Sequence, residues 1–126
     1  MANELILIVE DNPQNQKLAR DVLQVKGYRV LVAETAEAGI PMAIKEKPDL
    51  VLMDIHLPGM NGIEALAKLR GDAGTKAIPV FAFTASVMPQ DRREITSAGF
   101  DGFVSKPINL KEFLDTIAAT MAERKS

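Results

Sequence analysis

A chain of 126 residues fits one domain, and at that size it buries roughly two thirds of the surface its unfolded form exposes, enough for a core without staples. Its 47% hydrophobic and 25% charged residues are those of a soluble globular protein, and its apolar runs fall far short of the ~20 residues that span a bilayer. The absence of cysteine excludes disulfides and thiolate metal sites, and 15 basic against 17 acidic residues, net −2, leave no broad electrostatic footprint for nucleic acid.

In chain order, the opening "MANELILIVED" lacks the basic region and long apolar stretch of a secretory signal, so the cytoplasm is the expected compartment. Apolar runs rich in Val and Ile at Leu5 to Val9, Val30 to Ala33, Leu50 to Met53 and Ile78 to Phe83, with a shorter one at Gly102 to Val104, read as five strands. Segments with helical spacing lie between and after them. These are Leu18, Val22 and Val25; Ile40, Ala43 and Ile44; Ile63, Leu66 and Leu69; and Leu110, Phe113, Leu114, Ile117 and Met121. Strand and helix alternate throughout, which implies right-handed crossovers and a mostly parallel α/β sheet covered by helices on both faces.

Several helix starts are marked. Asn12 precedes Pro13, a residue favoured at the first helical position, while Asn61 with Glu64 and Asn109 with Glu112 resemble capping boxes in which Asn replaces Ser or Thr. Pro41 lies inside an otherwise helical pattern, so that helix either starts late or bends. The segment "SVMPQDRREITSAGF" offers few large apolar residues, chiefly Val87, Met88 and Ile95, and its helix is expected to be held by little burial and to be mobile. No repeat or second domain is visible, and with nothing after Ser126 the chain reads as a single domain, residues 1–126, without an output domain.

Ligands of an open parallel sheet bind outside the carboxyl ends of its strands. Standing there are Glu10 and Asp11 after the first strand, Asp54 after the third, Thr84 after the fourth and Lys106 after the fifth. Two like charges 4 Å apart at an effective dielectric of about 20 repel by about 4 kcal/mol, so three neighbouring carboxylates need a cation or must take up protons. Lys106 supplies one positive charge, and an oxygen-seeking Mg²⁺ would supply two more. The set suits phosphoryl transfer, which asks for in-line positioning and stabilised charge on three equatorial oxygens. Asp54 can then be the nucleophile, with Mg²⁺, Lys106, and the Thr84 hydroxyl with a neighbouring backbone amide each holding one phosphoryl oxygen. Ala82 and Ala85 are small enough to leave the approach open.

Each of these residues also has a plain structural reading. Acids favour helix starts, Asp54 could cap the turn into Pro58, Thr84 is an ordinary strand residue and Lys106 an ordinary loop charge. Their coincidence at one edge, in four separate connections, favours the chemical reading.

This pattern resembles the receiver domains of two-component response regulators, of the CheY-like, flavodoxin-like fold. "ILIVEDNPQN" resembles the family's acidic pair, "LVLMDIHLPGMNG" its phosphoacceptor strand and loop, "PVFAFTA" its Thr-Ala strand and "GFVSKPI" its Lys-Pro turn, and the likeness runs over essentially the whole chain. The resemblance implies a doubly wound five-stranded parallel sheet, order 2-1-3-4-5, flanked by five helices. It implies that Asp54 accepts a phosphoryl group from a sensor histidine kinase or a histidine phosphotransfer protein, and that Asp11 and Asp54 bind Mg²⁺, or Mn²⁺ in its place, with the backbone carbonyl of His56. Glu10 would act through a coordinated water. Thr84, Ala85 and Lys106 would contact the phosphoryl group, Lys106 and Pro107 would be joined by a cis peptide, and Thr84 and Phe103 would form the switch. Phe103 lacks the hydroxyl of the tyrosine frequent in the family.

"TASVMPQD" and "SKPI" are similar to single-domain regulators of the DivK type and to receivers of hybrid kinases. Output would be a contact with a downstream protein, through the fourth helix, fifth strand and fifth helix, with Arg92, Arg93, Phe103 and Lys111 as its candidates. The protein is expected to be a monomer or weak dimer, to bind neither nucleic acid nor membrane, and to be a phosphoacceptor rather than an enzyme of turnover. Three rivals are weaker. A haloacid-dehalogenase-type phosphatase places its nucleophile in Asp-x-Asp after the first strand, where Asn12 follows "VED"; a nucleotide-binding module would carry a glycine-rich phosphate loop; and the intact set of five residues argues against a degenerate receiver that only binds a partner.

Overall fold

The computed structural model describes residues 4–55, 57, 59–84, 89–105 and 108–125. Five strands, β1 (Leu5–Val9), β2 (Arg29–Ala33), β3 (Leu50–Asp54), β4 (Val80–Thr84) and β5 (Gly102–Ser105), alternate with five helices: α1 (Pro13–Val25), α2 (Ala36–Glu46), α3 (Gly62–Arg70), α4 (Pro89–Ala98) and α5 (Leu110–Lys125). All strand pairs are parallel and the order is β2-β1-β3-β4-β5, the flavodoxin-like topology expected from the sequence.

β1, β3 and β4 are buried at every position, which is why they read as unbroken apolar runs rather than alternating ones. Their side chains still alternate between two layers. Leu7, Val9, Val51, Met53, Val80 and Ala82 pack on one face with Ala36, Ala43, Ala65, Leu66, Leu69 and Ile95 of α2, α3 and α4. Ile6, Ile8, Leu50, Leu52, Phe81 and Phe83 pack on the other with Ala19 and Leu23 of α1 and Phe113, Ile117 and Met121 of α5. β4 starts at Val80, two residues later than its apolar run suggests. Ile78 is spent in a turn, its N–H donating to the Thr75 carbonyl at 3.0 Å, and Pro79 has no N–H to give a ladder.

The three cap positions are borne out, and of the two expected boxes the one at Asn61 and Glu64 is reciprocal. Asn12 accepts from the amides of Gln14 and Asn15, Asn61 and Glu64 form a reciprocal capping box, and the Glu112 N–H donates to Asn109 Oδ1. α2 starts at Ala36, capped by Thr35, and continues through Pro41, so the alternative of a late start does not hold. On α4, Ile95 is buried and Ala98 packs against the core; Val87 and Met88 lie outside the described residues.

The apolar stripe expected on α1 is corrected. Ala19 and Leu23 are its buried residues, while Leu18 is 42% and Val25 84% exposed. The helix meets the sheet through the small Ala19, a residue that a count of large apolar side chains passes over. Ile44 and Leu110, also assigned to buried stripes, lie at the exposed margins of α2 and α5. Among the described residues, no helix is long and apolar enough to cross a membrane.

Candidate phosphoacceptor site

The parallel register brings the site together. Val9 pairs with Met53 and Asp54 with Phe83, so Glu10, one residue past β1, stands level with Asp54 at the end of β3. Thr84 ends β4 paired with Ser105, the residue before Lys106. Carboxylate oxygens of Glu10, Asp11 and Asp54 all lie within 4.8 Å of one another. Glu10 and Asp54 are buried, Asp11 is exposed, and Thr84 is fully buried. Two buried carboxylates and an exposed one, hard oxygen donors gathered within 4.8 Å, fit a Mg²⁺ that keeps several of its waters.

Local structure fixes the acidic pair. The Glu10 N–H donates to the Ala33 carbonyl at 3.0 Å, extending the β1–β2 ladder by one residue, and the Asn12 N–H donates to Glu10 Oε2 at 2.9 Å. Gln16, one turn into α1, donates from Nε2 to the Glu10 carbonyl at 2.5 Å. The same Asn12 caps α1, so one residue both starts the helix and orients the buried carboxylate.

Gly62 holds the other side. Its N–H donates to the Ile55 carbonyl at 3.4 Å, and a Cβ built on it would lie 2.6 Å from the Asp54 carbonyl oxygen and 2.8 Å from Ile55 Cα. The chain that leaves Asp54 thus returns and closes on Asp54's own backbone, an approach that a glycine permits and any side chain obstructs. Neither Gly62 nor Gln16 stands out in the sequence: the need for the glycine is a contact across the loop, and a glutamine near the start of a helix has no pattern of its own.

Phe103 on β5 is half-buried and packs against the layer that holds Met53 and Ala82. It also lines a 260 Å³ cavity with Ser105, Asn109, Glu112, Phe113 and Thr116. Arg93 on α4 and Lys111 on α5 are exposed. His56, Ala85, Lys106, Pro107 and the side chain of Arg92, all singled out from the sequence, lie outside the described residues.

A doubly wound sheet in this order, with three carboxylates gathered at its carboxyl edge, is a CheY-like, flavodoxin-like fold with an acidic site at its ligand-binding edge. The sequence profile of the response regulator receiver domain matches residues 6–118, and the chain belongs to that family. It is similar to the polar-differentiation response regulator DivK of Brucella anthropi, 36% identical over 118 residues that cover 94% of this chain and 96% of the relative. Among solved structures it is similar to the receiver domain of a sensor histidine kinase from Pseudomonas aeruginosa, solved with a magnesium ion in its active-site cleft. That match has a TM-score of 0.88 and 29% identity, covering 95% and 98% of the two chains. It is also similar to the chemotaxis protein CheY4 of Vibrio cholerae, with a TM-score of 0.88 and 25% identity over 94% and 98%. The chain is a response regulator receiver of the DivK and CheY type.

Proposed function

We propose that Asp54 accepts a phosphoryl group from the phosphohistidine of a sensor histidine kinase or histidine phosphotransfer protein, and that the protein signals through contacts that depend on this modification. The observation that carries the reading is the meeting of the Glu10, Asp11 and Asp54 carboxylates within 4.8 Å at the ends of adjacent strands, with the Thr84 hydroxyl on the next strand. A carboxylate oxygen of Asp54 attacks phosphorus in line with the departing imidazole nitrogen. The P–N bond breaks, an O–P bond forms, and the imidazole takes up a proton. Water attacking the same phosphorus later returns the carboxylate and releases inorganic phosphate.

Asp11 and Asp54, with the His56 carbonyl and Glu10 acting through water, would hold Mg²⁺, or Mn²⁺ in its place. Bound there, the ion supplies positive charge that offsets the carboxylates and the incoming phosphoryl oxygens. Thr84, the Ala85 amide and Lys106 hold the remaining phosphoryl oxygens, as the family likeness implies, with a cis Lys106–Pro107 peptide aiming the ammonium. A Thr84 drawn toward the phosphoryl group vacates space into which the half-buried Phe103 turns. Phe103 carries that change to a surface of α4, β5 and α5 on which Arg92, Arg93 and Lys111 meet a protein target. Phosphorylation biases this surface only as far as it discriminates between the two arrangements. In this reading the protein works in the cytoplasm as a single-domain regulator, monomeric or weakly dimeric, with no nucleic acid or membrane as partner.

The test is intact-mass spectrometry after incubation with acetyl phosphate and Mg²⁺, beside Asp54→Asn. The expected result is one base-labile adduct of about 80 Da, absent from the variant, as an acyl phosphate requires. No adduct with acetyl phosphate or with a phosphorylated histidine kinase overturns the reading.

A further inference from the structure

Glu37 lies in the first turn of α2, away from the acidic triad, yet its carboxylate reaches the loop between β3 and α3. The Met60 N–H donates to Glu37 Oε2 at 3.2 Å, across 23 residues of sequence. The same oxygen lies 2.8 Å from where a Cβ on Gly59 would stand, and Gly59 has a φ of +75°. A side chain at Gly59 would therefore be strained by its backbone and would push the Glu37 carboxylate off this position. The loop is shaped to receive Glu37, and it starts directly after Asp54. Gly62 pins its near end against the Asp54 and Ile55 backbone, and the reciprocal Asn61–Glu64 cap fixes the entry to α3. Glu37 holds the far side between them.

We propose that Glu37 is a positioning residue for phosphoryl transfer at Asp54: by clasping the Gly59–Met60 backbone it holds the loop that follows the phosphoacceptor in its metal-binding and phosphoryl-accepting arrangement. The proposal rests on the reading of Asp54 as phosphoacceptor and adds to it a residue on a different element. A plainer role exists, since an acid in the first turn of a helix is favoured by the dipole whatever it touches. The two roles separate on chemistry. Glu37→Ala and Glu37→Gln remove the same charge from α2, but the glutamine carbonyl can still accept the Met60 N–H.

The experiment compares wild type, Glu37→Ala and Glu37→Gln in three measurements: exchange of the Met60 amide by NMR, Mg²⁺ affinity by calorimetry, and the rate of phosphorylation by acetyl phosphate. Loss of one hydrogen bond is expected to speed Met60 exchange, weaken Mg²⁺ binding and slow phosphorylation by about three- to tenfold each in Glu37→Ala, while Glu37→Gln stays within about twofold of wild type. Equal behaviour of the two variants in Mg²⁺ affinity and rate, whether both fall or neither does, overturns the proposal and leaves the helix dipole as the role of Glu37. Faster Met60 exchange in Glu37→Ala with unchanged affinity and rate also overturns it. A wild-type protein that takes up no phosphoryl group removes the phosphoacceptor reading, and the proposal with it.

Discussion

Arg70, the last residue of α3, donates from Nη2 to the Asp101 carboxylate at 2.7 Å across 31 residues of sequence. The same guanidinium donates from Nη1 to the carbonyls of Ile78 at 2.6 Å and Lys76 at 3.0 Å, and Asp101 Oδ2 also accepts the Val80 N–H at 2.8 Å. One side chain thus ties the end of α3 to the starts of β4 and β5, at the sheet edge opposite the phosphoacceptor. The planar fork of an arginine suits several carbonyls and a carboxylate at once.

Arg70→Ala is expected to lower stability by about 1–2 kcal/mol, the upper end being discounted because both partners are partly exposed. Arg70→Lys should lose much of the same energy, since an ammonium cannot reproduce the fork. Urea denaturation measures both. Labelling of Asp54 should be unchanged in either variant, because the cluster sits at the far edge of the sheet.

Gly62→Ala places a methyl group 2.6 Å from the Asp54 carbonyl oxygen, a backbone atom that cannot rotate away. The expected cost is about 1–3 kcal/mol, typical of overpacking, together with slower phosphorylation as the Asp54 backbone shifts. Thermal denaturation and acetyl-phosphate labelling test the two parts.

Asp54→Asn removes a charge from a cluster in which Glu10 and Asp54 are both buried. Without metal the variant is expected to be more stable than wild type by about 1 kcal/mol, because like charges no longer oppose burial. Adding Mg²⁺ at about a hundred times its dissociation constant should stabilise wild type by about 2.7 kcal/mol and the variant by less. Denaturation with and without Mg²⁺ gives both numbers.

Asp11→Ala is expected to weaken Mg²⁺ binding by at least about tenfold, since changing even a group that only supports a metal ligand costs about 10- to 100-fold. Because Asp11 is exposed, the fold should be untouched. Calorimetric titration with Mg²⁺ checks the affinity, and circular dichroism the fold.

On α1, a hydrogen bond from Lys17 at 2.9 Å, aided by the charges of Lys17 and Arg20, holds the Asp21 carboxyl below its ordinary range. A depressed folded-state pKa stabilises the fold above the unfolded value of about 3.9, and that stabilisation is lost as pH falls through the folded value. Lys17→Ala should return the Asp21 titration toward the ordinary value, as followed by NMR. The effect on global stability should be small, since the pair is exposed.

Alternation of buried strands with capped helices was legible in the chain, because β1, β3 and β4 are buried throughout and apolar up to the Asp54 and Thr84 that end β3 and β4, and Asn12, Asn61 and Asn109 stand at helix starts. The residues at the carboxyl edge were legible for the same reason: a parallel sheet sends every strand end to one side, so Glu10, Asp11, Asp54 and Thr84 had to converge once their strands were found. Tertiary structure alone decided the rest. It set Ala19 and Leu23, rather than Leu18 and Val25, against the sheet, because helix rotation depends on the closest fit between surfaces and not on the count of large side chains. It also brought Gly62 against the Asp54 backbone, Glu37 over Gly59 and Arg70 to Asp101. These contacts join positions whose separations follow neither helical nor strand periodicity, and their energies come from how three elements meet in space.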